Sequence, residues 1–216
     1  MTSVLDPREL KPVPTDRVLL QNVSWSTYES LLRDRLDGAS PRFTYDRGDL
    51  SIMVTSPHHE EINRTLSLLI ELLAEEFGIE SRAFGSTTYR RKDLKRGFEP
   101  DSCFYFRNEA QVRGKKSLDL TVDPPPDLVI EIDLSNPSLN KLPIFAAFGV
   151  PEVWRFNGRE LEILILEREE YIGTNQSKAL PSVSTEVITG FLHESGKMGR
   201  LEWIKDVRNW AKNAGL

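Results

Sequence analysis

Between Asp127 and Ser135 the chain reads Asp-Leu-Val-Ile-Glu-Ile-Asp-Leu-Ser, a pattern that few local structures can accommodate. Leu128, Ile130, Ile132 and Leu134 recur at period two and make one apolar face of a β-strand. The other face carries Asp127, Glu131 and Asp133 beside Val129. Like charges in a row repel, and that cost is most easily accepted where a cation will sit among them. The residues from Leu139 to Pro151 then predict a short helix, because Pro143 is tolerated near a helix start while Gly149 and Pro151 end one. Lys141 falls near the front of that helix, facing back toward the C-terminal end of the strand. Acids, an ammonium and a strand end in one place are the makings of an active site.

The rest of the chain supplies the elements around this strand. Ser24 suits an N-cap for a helix running to about Leu36, with Trp25, Tyr28, Leu31 and Leu32 as its apolar stripe. Phe43–Tyr45 and Leu50–Val54 flank Asp46-Arg-Gly-Asp49 as a hairpin. Ser56-Pro57 opens the longest helix, about His58 to Phe77, closed by Gly78, whose Ile62, Leu66, Leu69, Ile70 and Leu73 should face a sheet. Strands are expected over Ser81–Tyr89 and Phe98–Phe106, joined by a basic loop, Arg90 to Arg96, able to grip phosphates. A polar loop over 107–125 should expose Arg113, Lys115 and Lys116. Asn157-Gly158, between Glu152–Phe156 and Glu160–Leu166, suits a type I′ turn. Short strands near Glu170–Ile172 and Ser177–Leu180 and a terminal helix, about Leu201–Ala211, complete the series. The order of elements indicates an α+β (mixed α/β) fold, with a mixed central β-sheet flanked by helices rather than a doubly wound one.

With 216 residues the chain can bury a full core, and a single domain over 17–216 is expected behind a loose, proline-bearing arm at 1–16. No apolar run is long enough to span a bilayer and the N-terminus shows no apolar leader, so a cytoplasmic protein without membrane contact is expected. The single cysteine, Cys103, excludes an internal disulfide and agrees with a reducing compartment. It alternates onto the face of Asp101, as a small strand residue would. The three histidines, His58, His59 and His193, show no clustered spacing and receive no ligand role. A zinc site is therefore not expected, and any metal would be held by oxygen, as magnesium, manganese and calcium are. A formal net charge of −5 argues against broad coating of DNA. It leaves room for a nuclease whose carboxylates are offset by metal and a local basic rim.

Strand geometry sorts the acids. Asp127 and Glu131 lie on one strand with about 13 Å between their backbones, too far apart to share an ion. Asp101, in Glu99-Pro100-Asp101 on the preceding strand, can stand opposite Glu131 at about 5 Å. Asp101 and Glu131 are thus the candidate metal pair, and Asp127 a strand-start residue. Asp133 is either a third oxygen ligand or the partner of Lys141. Glu60, at the first turn of the long helix, either complements the helix dipole or brings a further carboxylate to the site. Two carboxylates around a cation, with an amine nearby, suit phosphodiester hydrolysis: a metal-bound water is acidified and the phosphate charge is stabilised.

Ser56-Pro-His-His-Glu60, Glu99-Pro-Asp101, Pro126-Asp-Leu-Val-Ile-Glu131, Ser135-Asn-Pro-Ser138, Lys141 and Gly149-Val-Pro-Glu-Val-Trp154 follow one another along the chain. In this order and spacing the sequence resembles the PD-(D/E)XK nuclease superfamily, and within it the Uma-type branch of restriction-endonuclease-like proteins. The resemblance implies a restriction-endonuclease-like core, DNA cleavage dependent on Mg2+ (or Mn2+), and a homodimer. It makes Asp101 look like the aspartate of the motif, Glu131 like its acidic partner, and Glu60 like a helix-borne carboxylate that assists in some members. The sequence departs from the pattern at one position. The superfamily lysine stands two residues after the acid, where this chain has Asp133, and in this branch it has moved to the following helix, where Lys141 stands.

Three functions compete on these residues. The first is a metal-dependent endonuclease using Asp101, Glu131, Lys141 and Glu60, without an organic cofactor. The second is a catalytically inactive nuclease-fold module that binds DNA or protein, favoured by Asp133 in the lysine position and by the acidic net charge. The third is a hydrolase of another phosphate ester.

Overall fold

In the computed structural model, which describes residues 17–35, 40–134 and 139–214, the first element is the strand β1 (Arg17–Leu20). The expected arm at 1–16, the helix end at Leu36 and the Ser135–Ser138 motif lie outside the described residues. Helix α1 (Trp25–Asp34) is capped by Ser24, whose hydroxyl accepts from the Thr27 amide at 3.1 Å. Strands β2 (Arg42–Asp46) and β3 (Asp49–Met53) form the expected hairpin. Its central residues Arg47 and Gly48 both take positive φ, 49° and 115°, the signature of a type I′ turn. Helix α2 (Pro57–Glu76) starts behind the cap Ser56 and is followed by Gly78 at φ 65°.

The next two expected strands are each broken. The first becomes β4 (Arg82–Ala83) and β5 (Tyr89–Arg91). The basic segment after it turns back as β6 (Arg96–Phe98), so it is the tip of a hairpin rather than a loop. The second strand stops at Phe98 and resumes as β7 (Ser102–Tyr105). Pro100 has no N–H to give a ladder, and the Glu99 and Asp101 side chains on either side of it are committed elsewhere. A one-turn helix, α3 (Glu109–Val112), interrupts the polar loop.

Strand β8 (Leu128–Ile132) leads through α4 (Leu142–Ala147) to β9 (Glu152–Phe156). Gly149, at φ 75°, ends α4 as anticipated. Strands β10 (Leu161–Glu167) and β11 (Glu170–Thr174) follow. The β9–β10 connection is not the predicted type I′ turn: only Gly158 has positive φ, at 91°. The Asn157 side chain instead accepts from the Arg159 and Glu160 amides, both at 2.9 Å, and this builds a longer loop. Nor is Ser177–Leu180 a strand. The buried Glu152 carboxylate accepts from Ser177 Oγ at 2.7 Å and from the Lys178 and Ala179 amides at 2.9 Å, which curls the segment into a turn. Helix α5 (Thr185–Ser195), not anticipated, and α6 (Arg200–Ala214) close the chain.

The central sheet runs β11-β10-β9-β8-β7-β4 and is mixed, because β8 and β9 are parallel across the α4 crossover while its other pairs are antiparallel. A second sheet, β1-β3-β2-β6-β5, is antiparallel throughout. Leu128, Ile130 and Ile132 project to one face, where Leu66, Leu69, Ile70 and Leu73 of α2 pack on them together with α5 and α6. Val129 faces the other way, toward Ile144 and Phe145 of α4, and meets Tyr89 and Phe98 of the second sheet in the same cluster. The two sheets thus share a core. Strand β8 is buried along its whole length, and each aliphatic side chain buried there contributes on the order of 1.5–3 kcal/mol.

Helix α1 seals the second sheet by stacking Tyr28 on Tyr45, with ring centroids 4.8 Å apart. Gly97 of β6 passes so close that a Cβ there would collide with the Tyr28 hydroxyl oxygen. That hydroxyl is buried with no hydrogen-bond partner among the described residues. Gly97→Ala should therefore destabilise the protein by about 1–3 kcal/mol in equilibrium urea unfolding. Adding Tyr28→Phe to the same chain should recover part of that loss.

Candidate active site

The β7–β8 ladder ends at Ser102 opposite Ile130, which makes Asp101 and Glu131 the next residues along two adjacent strands. Asp101 is 1% exposed. Its Oδ2 accepts the Ile132 amide at 2.6 Å and lies 3.2 Å from His59 Nε2, while Oδ1 forms an ion pair with the Arg42 guanidinium. Hydrogen bonds to an ionised carboxylate are among the stronger ones in proteins, so this residue pins the end of β8 to the start of β7.

His59 comes from the first turn of α2 and is equally buried. Its Nε2 lies 3.1 Å from the Ile132 carbonyl as well as near Asp101. Both neighbours are acceptors, which assigns the proton to Nε2. Burial, and then the Arg42 charge, pull the imidazole pKa down to about 4, so the ring is neutral at pH 7.

Glu131 is 8% exposed, and Lys141, at the N-cap position of α4, reaches back to it with Nζ 2.5 Å from Oε2. Its Oε1 is buried without a hydrogen-bond partner among the described residues, as is Oδ1 of Asp133. Burial raises the Asp133 pKa, opposed by Arg17, Lys141 and Arg155. A cavity of about 40 Å³ lies between Glu131, Asp133, Lys141, Arg17 and Arg155, room for a few water molecules.

Arg42, on β2 of the second sheet, joins the remaining acid to this group. It pairs with Asp101 and lies 3.5 Å from Glu60, which in turn is 3.0 Å from Arg64. Burial lowers the Arg42 pKa, and Glu131 is the acid that most favours its charged form, followed by Glu60 and Glu99. Arg42 and Glu60 line an open cleft of about 1300 Å³, whose wall also carries the exposed cations Arg33, Arg64, Arg90 and Lys92.

Of the residues singled out by sequence, Asp101, Glu131, Asp133 and Lys141 come together at the C-terminal end of β8, and Glu60 joins them through Arg42. Asp127 stands apart. Its carboxylate accepts from the Phe106 and Asn108 amides at 2.7 and 3.0 Å, the duty of a strand-start residue. Glu99 holds Arg35 and the Phe43 amide, and so ties β6 to α1 and β2. Cys103 is fully buried, 3.2 Å from the Tyr89 hydroxyl, and burial pushes its thiol up to about 12, which makes it inert.

No three His, Cys, Asp or Glu side chains among the described residues stand close enough, as placed, to hold a metal ion. The donors that are present suit a hard cation. They are all oxygens, two of them, on Glu131 and Asp133, are buried without hydrogen bonds beside the small cavity, and a magnesium ion that keeps most of its waters needs only one or two carboxylates.

The Uma2 family, described as "Putative restriction endonuclease", matches residues 25–192. The chain belongs to this family. A crystal structure of a protein titled a putative nuclease of DUF820, from Anabaena variabilis, superposes with a TM-score of 0.50 at 12% identity, covering 79% of this chain and 99% of that one. At that identity the likeness is one of fold, and the fold is restriction-endonuclease-like. None of the curated proteins matches the chain. Among the described residues no helix is long and apolar enough to cross a membrane.

Two residues of the site escaped the sequence reading. His59 shares the inward stripe of α2 with Ile62 and Leu66, at i+3 and i+7, so helical periodicity carried a signal for it. Arg42 had none, because its contact with Asp101 joins two sheets. The buried histidine makes stability acid-sensitive. The unfolded chain takes up that proton near pH 6.5 and the folded chain only near 4, so stability should fall as pH drops through that window. Urea midpoints from pH 8 to 4 read this loss, and His59→Gln should flatten the slope between 6.5 and 4.

Proposed function

We propose that this protein hydrolyses phosphodiester bonds in DNA, using Mg2+ or Mn2+ held by Asp101 and Glu131 with Asp133 as a further oxygen donor. The observation that carries this reading is the meeting of Asp101 and Glu131 on adjacent strands, with the Lys141 ammonium 2.5 Å from Glu131, beside a cleft with a cationic wall. When bound, such a cation acidifies a water and shares the charge of a phosphate oxygen. Lys141 presents its ammonium at the mouth of the small cavity, where it orients the attacking water and offsets charge developing on the phosphate. His59 fixes the Asp101 carboxylate and the Ile132 carbonyl from below. Glu60 holds Arg64 and Arg42 on the cleft wall. Arg33, Arg90 and Lys92, exposed on the cleft wall, take backbone phosphates and set the register of the duplex. Two such chains in a homodimer would cut both strands, and the mass in solution reads that assembly directly.

Asp101→Asn and Glu131→Gln should each reduce cleavage of plasmid or linear duplex to background while the protein still unfolds cooperatively. Chelation should abolish cutting, and added Mg2+ or Mn2+ restore it. Lys141→Ala should lower kcat by about a hundredfold or more. Absence of cutting on every DNA form with either metal withdraws the hydrolytic reading. Duplex affinity should fall linearly on a log–log plot against salt, and each of Arg33→Ala, Arg90→Ala and Lys92→Ala should reduce the slope by about 0.9.

One observation favours an inactive binding module instead. Three acids of the site already have a cation: Arg42 for Asp101, Lys141 for Glu131, Arg64 for Glu60. Such a module would bind duplex equally well without divalent metal and show no heat on Mg2+ titration.

A further inference from the structure

We infer that Arg42 is a built-in counter-ion that competes with the divalent cation for Asp101 and, once displaced, binds the substrate phosphate in the cleft. The inference rests on the metal-dependent reading above.

Asp101 has a side chain 0% exposed, and a buried carboxylate with no counter-charge costs several kcal/mol. Glu131 has Lys141 for that purpose. Besides the Ile132 amide, Asp101 meets His59 Nε2 at Oδ2, a nitrogen that also faces the Ile132 carbonyl, and the Arg42 guanidinium at Oδ1, and the guanidinium carries a permanent charge. Arg42 therefore neutralises Asp101. The same guanidinium lies 3.5 Å from Glu60, so it is held between the Asp101 carboxylate and the cleft wall. A guanidinium offers only donors, and it cannot share a carboxylate oxygen with a metal ion without strong repulsion. Occupation by one requires departure of the other.

The direction of departure is set by the second partner. Glu60 lies 3.5 Å from Arg42, is 37% exposed at its side chain, and stands on the cleft wall next to Arg64. A guanidinium released from Asp101 remains tethered there, at the mouth of the cleft. Its planar fork matches two oxygens of a phosphodiester. Metal entry would thus present the phosphate ligand, and phosphate binding would draw Arg42 away from Asp101. The two ligands then strengthen each other reciprocally.

Mg2+ titration by calorimetry on wild-type protein, Arg42→Gln and Arg42→Lys, paired with steady-state cleavage of duplex DNA, tests this. Arg42→Gln should bind Mg2+ about tenfold more tightly than wild type, the order expected when one nearby competing charge is removed, yet show a raised KM for DNA and a lower kcat. Arg42→Lys keeps a competing charge, so its Mg2+ affinity should stay close to wild type while KM rises. A merely structural arginine would weaken metal binding and cleavage together. In wild-type protein, where no variant need fold, the Arg42 guanidinium NMR resonance should move in step with added Mg2+ and again with inorganic phosphate. Metal binding by Arg42→Gln alone supports the inference. Mg2+ affinity in Arg42→Gln no tighter than wild type, or a guanidinium resonance indifferent to Mg2+, overturns it and leaves the nuclease reading standing. If neither wild type nor variant binds metal or cuts DNA, both readings fall.

Discussion

A carboxylate buried at the junction of two strands must be answered by donors and charge, and at Asp101 the answer comes from three parts of the chain at once. The Ile132 amide belongs to the neighbouring strand, the His59 ring to α2, and the Arg42 guanidinium to the second sheet. Each satisfies a different demand: the amide fixes direction, the imidazole donates without adding charge, and the guanidinium neutralises. Without the second sheet in place, Asp101 would be an unpaired ion in an apolar setting, and the cost would fall on the whole fold.

The hydrophobic architecture makes that arrangement rigid. Strand β8 is gripped on one side by α2, α5 and α6 and on the other by α4 and the second sheet, so its C-terminal end is held by two cores. The parallel step from β8 to β9 needs a crossover, and the crossover helix is the one that brings Lys141 back over Glu131. The connection demanded by sheet topology thus delivers the amine. The break at Pro100, where the chain passes from β6 of one sheet to β7 of the other, has a matching effect, since it leaves the Asp101 carboxylate to accept the Ile132 amide at the end of the ladder.

Electrostatics divides the surface in a way the total charge conceals. The chain is acidic overall, at −5, yet the cleft beside the site carries Arg33, Arg64, Arg90 and Lys92 as exposed cations. Of the acids that belong to the site, Asp101, Glu131 and Glu60 are paired with cations. A polyanion approaching the cleft meets these four cations, with Glu60 and Asp119 also on the lining.

Much of this was legible in the chain because the governing interactions are local. The acid-bearing alternation of 127–135, the caps at Ser24 and Ser56, and the Pro143–Gly149 bounds of α4 each depend on neighbours within a few residues. So does the placement of Lys141, one short connection from the strand it faces. Where the reading failed, a distant partner had decided the local conformation. Glu152 turned Ser177–Leu180 from strand to turn; at Asn157 the deciding group was instead local, its own side chain capping the two amides that follow Gly158. The division of the strands into two sheets, and with it the arrival of Arg42 at Asp101, belonged to tertiary structure alone. Periodicity specifies which face of an element is apolar, but a charge finds its partner only after the sheets have packed.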